Sequence, residues 1–372
     1  MKLNIAVLPG DGIGPEVTQQ AIKAMKAIAM SFDHEFVFKT AAVGAIAIDE
    51  KGAPLPDETL ALCKASDAIL FGAIGDPKYD NDPSAPVRPE QGLLKLRKEL
   101  GLFANIRPVK AYGTLLDKSP LKVENIKGTD ISIYRELTGG IYFGEKKMNK
   151  EGTEASDLCL YTREEIERIT HLAFKAAQSR KKKVTLVDKA NVLESSRLWR
   201  KVVTEIGTHY PDVELDFLFV DNAAMQLILN PKQFDVILTE NMFGDIISDE
   251  ASVIGGSIGL LASASIGGEI GLFEPIHGSF PQGAGKGIAN PIASILSAGM
   301  LLEHFGLHEE ANAITQAVEK ALELDITTPD LNPQNVNITT ERVGDFIEDF
   351  LLNPEDSNLN FMNIHLGQST II

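Results

Sequence analysis

The sequence predicts an α/β protein in which helices pack on a largely parallel sheet. Short apolar runs typical of buried strands recur along the chain, and they alternate with longer segments whose apolar residues repeat at helical spacing. The chain has 372 residues, of which 44% are hydrophobic and 23% are charged. That length and balance are typical of a soluble globular protein with two domains or one large α/β unit.

The first elements are a buried strand, a tight loop and a helix. Leu3–Leu8 is mostly apolar, and Pro9–Gly14 reads PGDGIG, which is typical of a turn. Pro15 suits the first position of a helix. One apolar face then repeats at helical spacing, at Val17, Ala21, Met25 and Ile28.

The same alternation continues along the chain. Ala68–Gly72 is a short strand, and the Pro- and Asp-rich loop Gly72–Pro89 joins it to a helix at Glu90–Leu100. Later strands are predicted at Ile131–Arg135, Val184–Asp188, Leu215–Val220 and Val236–Thr239. Later helices are predicted at Arg163–Gln178, Glu194–Thr208, Ala223–Leu229, Asn290–Phe305 and Glu309–Leu324. Gly139–Thr162 lacks helical periodicity and predicts a hairpin-like excursion, and the polar tail from Asn353 is expected to be peripheral.

Charge and cysteine content exclude several classes of protein. A net charge of −17 argues against a general nucleic-acid or anionic-membrane binder, because such proteins need a basic field. Only Cys63 and Cys159 occur, so neither a disulfide framework nor a thiolate metal site is implied. No stretch approaches the length of a membrane span, and we expect a cytoplasmic protein with free thiols.

Two carboxylates four residues apart are the first candidate for chemistry. Asp245 and Asp249 lie in the run TENMFGDIISDEA, and on a helix that spacing puts both on one face. A divalent ion such as Mg²⁺ takes oxygen ligands of this kind and relieves their repulsion. Asp221, after another strand-like run, is a third candidate. The alternative is a solvated helix face, but the uncharged, glycine-rich segment Ile254–Leu261 that follows the pair favours a cleft.

Two glycine-rich loops resemble nucleotide-binding motifs but do not match them. The triplet Gly10, Gly12 and Gly14 lacks the spacing of the dinucleotide fingerprint, so we interpret it as a phosphate-tolerant or substrate-facing turn. The loop around Gly283–Gly287 lacks the first glycine and the hydroxyl residue of a P-loop. It can still form a cradle for the adenosine half of a cofactor, with a plain surface loop as the equal alternative.

Basic and phenolic side chains supply the remaining candidates. Arg97, Arg107 and Arg135 can clamp a dicarboxylic acid if they converge, since a guanidinium binds carboxylates in bidentate fashion. Separately, each would be an ordinary surface ion pair. Lys189 follows a strand end, where α/β enzymes place ligands, and a desolvated lysine can act as a base. Tyr142 can donate a proton or simply pack.

Together these segments resemble the isocitrate/isopropylmalate family of metal-dependent β-decarboxylating dehydrogenases. The resemblance runs from about Ile5 to Phe350. The motifs that carry it are LPGDGIGPE (8–16), GLLKLR (92–97), LFANIRP (102–108), YRELTGGIYFGE (134–145), DKANVLESSRLWR (188–200), NMFGDIISD (241–249), EPIHGS (274–279) and GIANP (287–291). Many ordered matches of this kind make the family assignment specific.

The resemblance implies an α/β fold of two domains with a continuous central mixed sheet, distinct from a Rossmann fold. One domain would combine residues 1–104 with 254–372 and bind the cofactor, and the other would comprise 105–253. It also implies a homodimer in which Lys189 and Asp221 serve the partner subunit's active site. The segment 139–162 would be the arm exchanged between subunits.

The resemblance also implies a role for each candidate residue. Arg97, Arg107 and Arg135 would hold the substrate carboxylates, Asp221 would contribute to substrate binding, and Asp221, Asp245 and Asp249 would hold Mg²⁺ or Mn²⁺. Lys189 would remove the C2 hydroxyl proton and Tyr142 would protonate the carbon that loses CO₂. The NAD contacts would be Ile13, Gly75, Glu90, His277, Gly278, Ser279, Gln282 and Asn290.

Substrate and cofactor choice depend on a few positions. Leu93, Leu94 and Val192 would offer an apolar pocket for an isopropyl group, which favours 3-isopropylmalate and a role in leucine biosynthesis. Gln282 stands where many NAD-using relatives carry an Asp, yet no basic residue lies between His277 and Gly285 to pair with a 2′-phosphate, so NAD is expected. The alternatives are isocitrate, malate, tartrate or another 3-substituted malate as substrate, or a catalytically inactive binding subunit.

Overall fold

Apolar strands and amphipathic helices alternate in the computed structural model, which describes residues 1–81 and 86–354. The strands are β1 (Lys2–Gly10), β2 (Glu35–Thr40), β3 (Ala68–Ala73), β4 (Ala104–Lys110), β5 (Asp130–Glu136), β6 (Lys146–Met148), β7 (Ala155–Asp157), β8 (Lys183–Asp188), β9 (Glu214–Phe219), β10 (Val236–Thr239), β11 (Ala262–Ile266) and β12 (Gly271–Pro275). The predicted tail lies outside the described residues from 355 onward, as do residues 82–85 of the predicted loop.

The helices fall between these strands and after the last of them. They are α1 (Gly14–Ser31), α2 (Ala45–Lys51), α3 (Asp57–Lys64), α4 (Pro77–Asp80), α5 (Glu90–Glu99), α6 (Val123–Ile126), α7 (Arg163–Gln178), α8 (Glu194–Gly207), α9 (Val220–Leu229), α10 (Asn241–Ser252), α11 (Ile292–His304), α12 (His308–Glu323) and α13 (Thr340–Leu352). Within the described ranges, no helix is long and apolar enough to cross a membrane.

The chain divides into two compact units. The first contains Met1–Leu96 and Ile270–Ile372, and the second contains Arg97–Glu269. In the first unit the strands lie in the order β2-β1-β3-β12, and every neighbouring pair is parallel. In the second they lie in the order β11-β4-β5-β10-β8-β9, with antiparallel pairs at β4 and parallel pairs beyond β5. The predicted α/β class with a large mixed sheet is confirmed.

The helices of the second unit cover its sheet with apolar faces. Trp199 of α8 and Phe174 of α7 are fully buried in one cluster with side chains of β8 and β10. The α7 helix begins at a capping box, in which the side chains of Thr162 and Glu165 satisfy each other's backbone N–H groups. The predicted excursion is also confirmed, since β6 and β7 form an antiparallel hairpin within 139–162.

In the first unit, the turn after β1 joins several segments of the chain. Gly10 has φ +70°, and a Cβ there would lie 1.9 Å from the carbonyl oxygen of Ala73, so only glycine fits. Next to it, the buried Asp11 carboxylate accepts from the N–H groups of Ala45 (2.9 Å), Ile46 (3.0 Å) and Gly75 (2.8 Å). One side chain therefore fixes the start of α2 and the loop after β3.

Replacing Asp11 by alanine should lower the free energy of unfolding by about 2–4 kcal/mol, because three buried N–H groups lose their acceptor. Urea denaturation followed by circular dichroism measures this change. Asp57→Ala is the control, since that side chain is 99% exposed. A loss below about 0.5 kcal/mol, the usual range for a surface substitution, would contradict the role assigned to Asp11.

Candidate active site

The α10 helix carries the predicted carboxylate pair. It begins at Asn241, directly after β10, and places Asp245 and Asp249 one turn apart on the same face, as the spacing predicts. Gly244 lies beside them, and a Cβ at that position would lie 2.7 Å from Cγ of Arg135. The missing side chain therefore lets the stem of Arg135 pass against the helix.

Two arginines converge on this face of α10. The Arg135 guanidinium, at the end of β5, forms an ion pair with Asp245 and donates to Oδ1 of Asn241 at 3.1 and 2.8 Å. Arg107, on β4, donates to Asp249 at 3.2 Å and lies 3.6 Å from Asp245. Both guanidinium groups are thus held against the same two carboxylates.

Neighbouring polar side chains orient Arg107. Its Nε donates to Oδ1 of Asn105 at 2.7 Å, and its Nη1 donates to Oγ of Ser248 at 2.6 Å. Asn105 in turn donates to Oγ of Ser263 at 2.7 Å. The sequence analysis missed these supporting residues. The signal was available, because Asn105 and Arg107 are two apart on one strand face and Ser248 is three residues from Asp245 on α10.

The charged side chains of the cluster shift one another's pKa values. Burial, together with the positive charges of Arg107 and Arg97, lowers the pKa of Arg135 to about 10, while Asp245 opposes the fall. Burial also raises the pKa of Asp249, with Arg107 opposing and Asp245 adding to the rise. Arg97, half-buried where α5 ends, therefore contributes its charge to the same cluster. The three predicted arginines converge.

Tyr142 extends the cluster toward solvent. Its hydroxyl donates to Oδ2 of Asp245 at 2.9 Å, and the Arg135 guanidinium lies 5.7 Å from the centre of its ring. Burial, followed by the negative charge of Asp245, raises the pKa of Tyr142. The phenol is therefore protonated at neutral pH and is able to donate.

Lys189 and Asp221 form a separate pair. Lys189 follows β8, Asp221 lies in the first turn of α9, and their side chains form an ion pair that lowers the pKa of Asp221. Among residues 1–81 and 86–354, no group of three or more His, Cys, Asp or Glu side chains is placed to hold a metal ion. One chain thus does not bring Asp221 to Asp245 and Asp249, and the expectation that a second chain supplies Asp221 stays a prediction.

The glycine-rich turn of the first unit lies among the predicted cofactor contacts. Its N–H groups already have protein acceptors: Asp11 donates to Ala73 O, Ile13 to Ser279 O and Gly14 to Asp11 O, at 2.8–2.9 Å. These three N–H groups are therefore not available to bind a phosphate, as a phosphate-tolerant turn would require. Instead, the turn fixes the position of Ser279.

Gly75, Glu90 and Ser279 lie together in the first unit. A Cβ at Gly75 would lie 3.0 Å from Oε1 of Glu90 and 3.6 Å from Oγ of Ser279, and Gly75 has φ +118°. A side chain at this position would crowd the carboxylate, so glycine lets Glu90 and Ser279 lie close to the loop after β3.

The loop after β12 contains the other predicted cofactor contacts. Nδ1 of His277 lies 3.0 Å from the carbonyl oxygen of Gly278, so this nitrogen carries the proton and Nε2 is an acceptor. Nε2 is buried and has no hydrogen-bond partner among the described residues, and burial lowers the pKa of His277. Asn290 donates to Asp330 at 3.1 Å, and Gln282 is exposed. A neutral, unsatisfied acceptor in a buried position is suited to a ligand that donates.

The three predicted specificity residues lie on different elements. Leu93 and Leu94 are half-buried on α5 of the first unit. Val192 is 61% exposed in the turn between β8 and α8 of the second unit. Their part in binding substrate stays a prediction.

Comparison with known proteins identifies relatives over nearly the whole chain. The family described as isocitrate/isopropylmalate dehydrogenase matches residues 4–347. The chain is 57% identical over 337 residues to a 3-isopropylmalate dehydrogenase of Bacillus subtilis (strain 168), covering 89% of this chain and 92% of that protein. It is 56% identical over 344 residues to a 3-isopropylmalate dehydrogenase of Heyndrickxia coagulans, covering 91% and 94%.

Solved structures give the same result. A crystal structure of an isocitrate dehydrogenase from Methylococcus capsulatus matches with a TM-score of 0.84 at 35% identity, covering 94% of this chain and 99% of that chain. A β-decarboxylating dehydrogenase from Thermococcus kodakarensis matches with a TM-score of 0.78 at 38% identity, covering 95% and 98%. The chain therefore belongs to the isocitrate/isopropylmalate dehydrogenase family.

Proposed function

We propose that this chain catalyses the oxidative decarboxylation of 3-isopropylmalate to 4-methyl-2-oxopentanoate and CO₂, with reduction of NAD, in leucine biosynthesis. The observation that carries the proposal is the convergence of Arg107, Arg135, Tyr142, Asp245 and Asp249 on one face of α10. The relatives named 3-isopropylmalate dehydrogenase support the choice of substrate.

The arginines bind the substrate's two carboxylates. In the structure, Arg107 and Arg135 pair with Asp245 and Asp249, and both guanidinium groups are held by amide or hydroxyl side chains on their inner side. That support fixes their orientation, so a substrate carboxylate meets preorganised donors. Arg97 adds a third positive charge to the same pocket.

Asp245 and Asp249 hold a divalent cation together with Asp221 of the partner subunit. Their oxygen atoms suit Mg²⁺ or Mn²⁺, and the charge of Asp245 already contributes to the raised pKa of Asp249, a repulsion that a cation would relieve. When bound, such an ion supplies Lewis-acid stabilisation of the negative charge that develops on the substrate. Arg107 and Arg135, released from the aspartates, then face the substrate.

Two side chains move protons. Lys189, from the partner subunit, accepts the C2 hydroxyl proton through a water molecule as the hydroxyl carbon is oxidised. Tyr142 donates its phenolic proton to the carbon that has lost CO₂. The raised pKa of Tyr142 keeps its phenol protonated at neutral pH. The hydroxyl donates at 2.9 Å to Asp245, one of the proposed metal ligands.

NAD binds to the first unit. When bound, NAD would supply the hydride acceptor for the oxidation of C2. Glu90 and Ser279, which lie beside Gly75, would contact the ribose nearer the nicotinamide, and Ile13 and Gly278 would complete this contact. The buried Nε2 of His277 accepts from the adenine amino group, and Asn290 and Gln282 lie on the adenosine side.

The substrate's isopropyl group is recognised by apolar side chains. Leu93, Leu94 and Val192 offer no partner to a third carboxylate, and burying that charge without a partner would cost several kcal/mol. Isocitrate is therefore expected to be a poor substrate. Malate and tartrate would leave the apolar surface unfilled.

The active enzyme is a homodimer that acts in the cytoplasm. Adjacent helices α9 and α10 expose apolar side chains, namely Met225 (50% exposed), Ile228 (42%), Leu229 (53%) and Ile246 (58%). Exposed apolar groups clustered on two packed helices are typical of a protein–protein interface. A second copy that covers this face would bring its Lys189 and Asp221, at β8 and α9, close to the interface.

The direct test is NADH production by the purified chain with 3-isopropylmalate, isocitrate, malate and tartrate, each with and without EDTA. We expect rapid turnover only with 3-isopropylmalate, lost on chelation and restored by Mg²⁺ or Mn²⁺. A higher kcat/KM with another of these acids would show that this acid, and not 3-isopropylmalate, is the substrate. Turnover unaffected by EDTA would refute the metal site. No turnover with any of them would favour an inactive binding subunit.

Mixing two inactive variants tests the shared active site. Asp245→Asn removes a metal ligand and Lys189→Ala removes the base, so each homodimer should be inactive. Co-refolded mixtures should regain activity, because a mixed dimer carries both defects in one site and none in the other. Mixing Asp245→Asn with Asp249→Asn is the control, and it should stay inactive, because both aspartates of a site come from one chain and each site of this mixed dimer lacks one of them. An absence of recovery in the first mixture would overturn the sharing of sites.

Two substitutions at Gln282 test cofactor choice. The wild-type chain should prefer NAD, and Gln282→Asp should lower kcat/KM for NADP about tenfold further, because the new carboxylate repels the 2′-phosphate. Gln282→Asn is the neutral control and should leave the ratio of the two kcat/KM values close to that of the wild type. A wild-type kcat/KM with NADP equal to or above that with NAD would contradict the proposal.

A further inference from the structure

A chain of buried hydrogen bonds connects Lys189 to the residue that precedes α10. The backbone N–H of Lys189 donates to Oγ of Ser196 at 3.1 Å, and the hydroxyl of Ser196 donates to Oε1 of Glu240 at 2.8 Å. Ser196 lies in the first turn of α8, and the carbonyl of Glu240 accepts from Gly244 N at 2.9 Å. Ser196 is therefore the link between the turn that presents Lys189 and the first turn of the helix that carries Asp245 and Asp249.

Burial makes this link rigid. Ser196 is 0% exposed and Glu240 is 4% exposed, so neither side chain can exchange its partner for bulk water. The Ser196 hydroxyl is satisfied both as donor and as acceptor, and Oε2 of Glu240 lies 3.9 Å from the thiol of Cys159. Breaking either bond would leave a buried polar group without a partner, which costs about 1–3 kcal/mol.

Within residues 1–81 and 86–354, no cationic side chain forms an ion pair with Glu240. Its two hydrogen-bonding neighbours, Ser196 and Cys159, are neutral, and the nearby Asp188 is itself held by Arg200 at 2.9 and 2.8 Å. The phenol of Tyr161 is near enough for the charge of Glu240 to add to the rise in its pKa, after burial and Glu136. Burial, with the charge of Asp188 adding to it, raises the pKa of Glu240 to about 7.

We propose that Ser196 and Glu240 are a positioning pair that fixes the main chain at Lys189 relative to the first turn of α10. The inference rests on the proposed function, in which Lys189 is the base and α10 carries the metal ligands. Neither residue of the pair touches substrate. Their effect is on the position of the Lys189 backbone, from which the side chain extends. A displacement of about one ångström at such a position lowers the rate of catalysis strongly.

The pair also makes the link sensitive to pH. Glu240 accepts the hydrogen bond from Ser196 in either charge state, so the sensitivity comes from the cost of burying the ionised carboxylate. Because the pKa in the folded chain is raised above the ordinary value of 4.5, the stability that Glu240 contributes is present below pH 4.5 and is lost as the pH rises through about 7. Glu240→Gln removes this dependence.

Hydrogen exchange measured by mass spectrometry, without substrate, tests the pair directly. Protection of the Lys189 amide, corrected for the intrinsic exchange rate, should decrease between pH 6 and 8 in the wild type, because an opening that admits water to Glu240 becomes easier as the buried carboxyl ionises. It should be independent of pH in Glu240→Gln, which keeps an acceptor for Ser196, and roughly tenfold lower at pH 8 in Ser196→Ala. Ser195→Ala and Glu194→Gln, neighbours outside the pair, are the controls and should behave as the wild type.

Kinetics provide the second readout. Ser196→Ala should lower kcat for 3-isopropylmalate roughly tenfold while KM for NAD is unchanged, because the base is displaced and the cofactor site is not. Equal protection of Lys189 in the wild type, Ser196→Ala and Glu240→Gln would overturn the pair, even if the wild type turns over substrate. A wild type without turnover would overturn the proposed function, while the exchange data would still decide whether the pair holds the Lys189 turn.

Discussion

The pairing of two buried guanidinium groups with two carboxylates on one turn of α10 is the interaction on which the candidate active site depends. Arg107 and Arg135 are 8% and 4% exposed, and burying such charges is tolerated only where opposite charges and hydrogen-bond acceptors surround them. Asp245 and Asp249 supply the charge on the outer side. Amide and hydroxyl groups supply the acceptors on the inner side, so the guanidinium planes are fixed before any substrate arrives.

This arrangement contains a built-in exchange of partners. The aspartates satisfy the arginines in the chain as it stands, whereas a dicarboxylic acid together with a divalent cation would supply new partners to both sets. The positive and negative groups can then separate without leaving a buried charge unpaired. Such a site would suit a ligand that brings both an anion and a metal, and its local basic cluster would allow a strongly acidic protein to bind an acidic ligand.

Buried polar groups also anchor two loops that carry candidate functional residues. Asp11 in the first unit binds three backbone N–H groups, and Ser196 in the second unit binds the turn of Lys189. In both cases a short side chain holds a loop to a rigid element. A loop that carries reacting groups gains precision from a support of this kind, which the loop's own backbone cannot provide.

The sequence by itself determined the local structure and the composition of the site. Apolar runs predicted β8 and β10, the helical period predicted α7 and α8, and the four-residue spacing put Asp245 and Asp249 on one helix face, because these patterns follow from the geometry of a single element. It did not predict β2, β4, β11, β12 or α13, although β4 is longer than β8 and α13 is longer than α9. The family was identified from motifs that follow one another along the chain in the same order as in the family, because many such matches together are specific.

Only the tertiary structure decided which of these residues meet. The convergence of Arg107 and Arg135 depends on the antiparallel register of β4 and β5, and on a glycine of α10 that admits the Arg135 stem. Likewise, Glu240 and Ser196 are 44 residues apart, and no local pattern links them. Contacts between distant segments arise from packing and strand order, which a sequence pattern of period two or 3.6 does not encode.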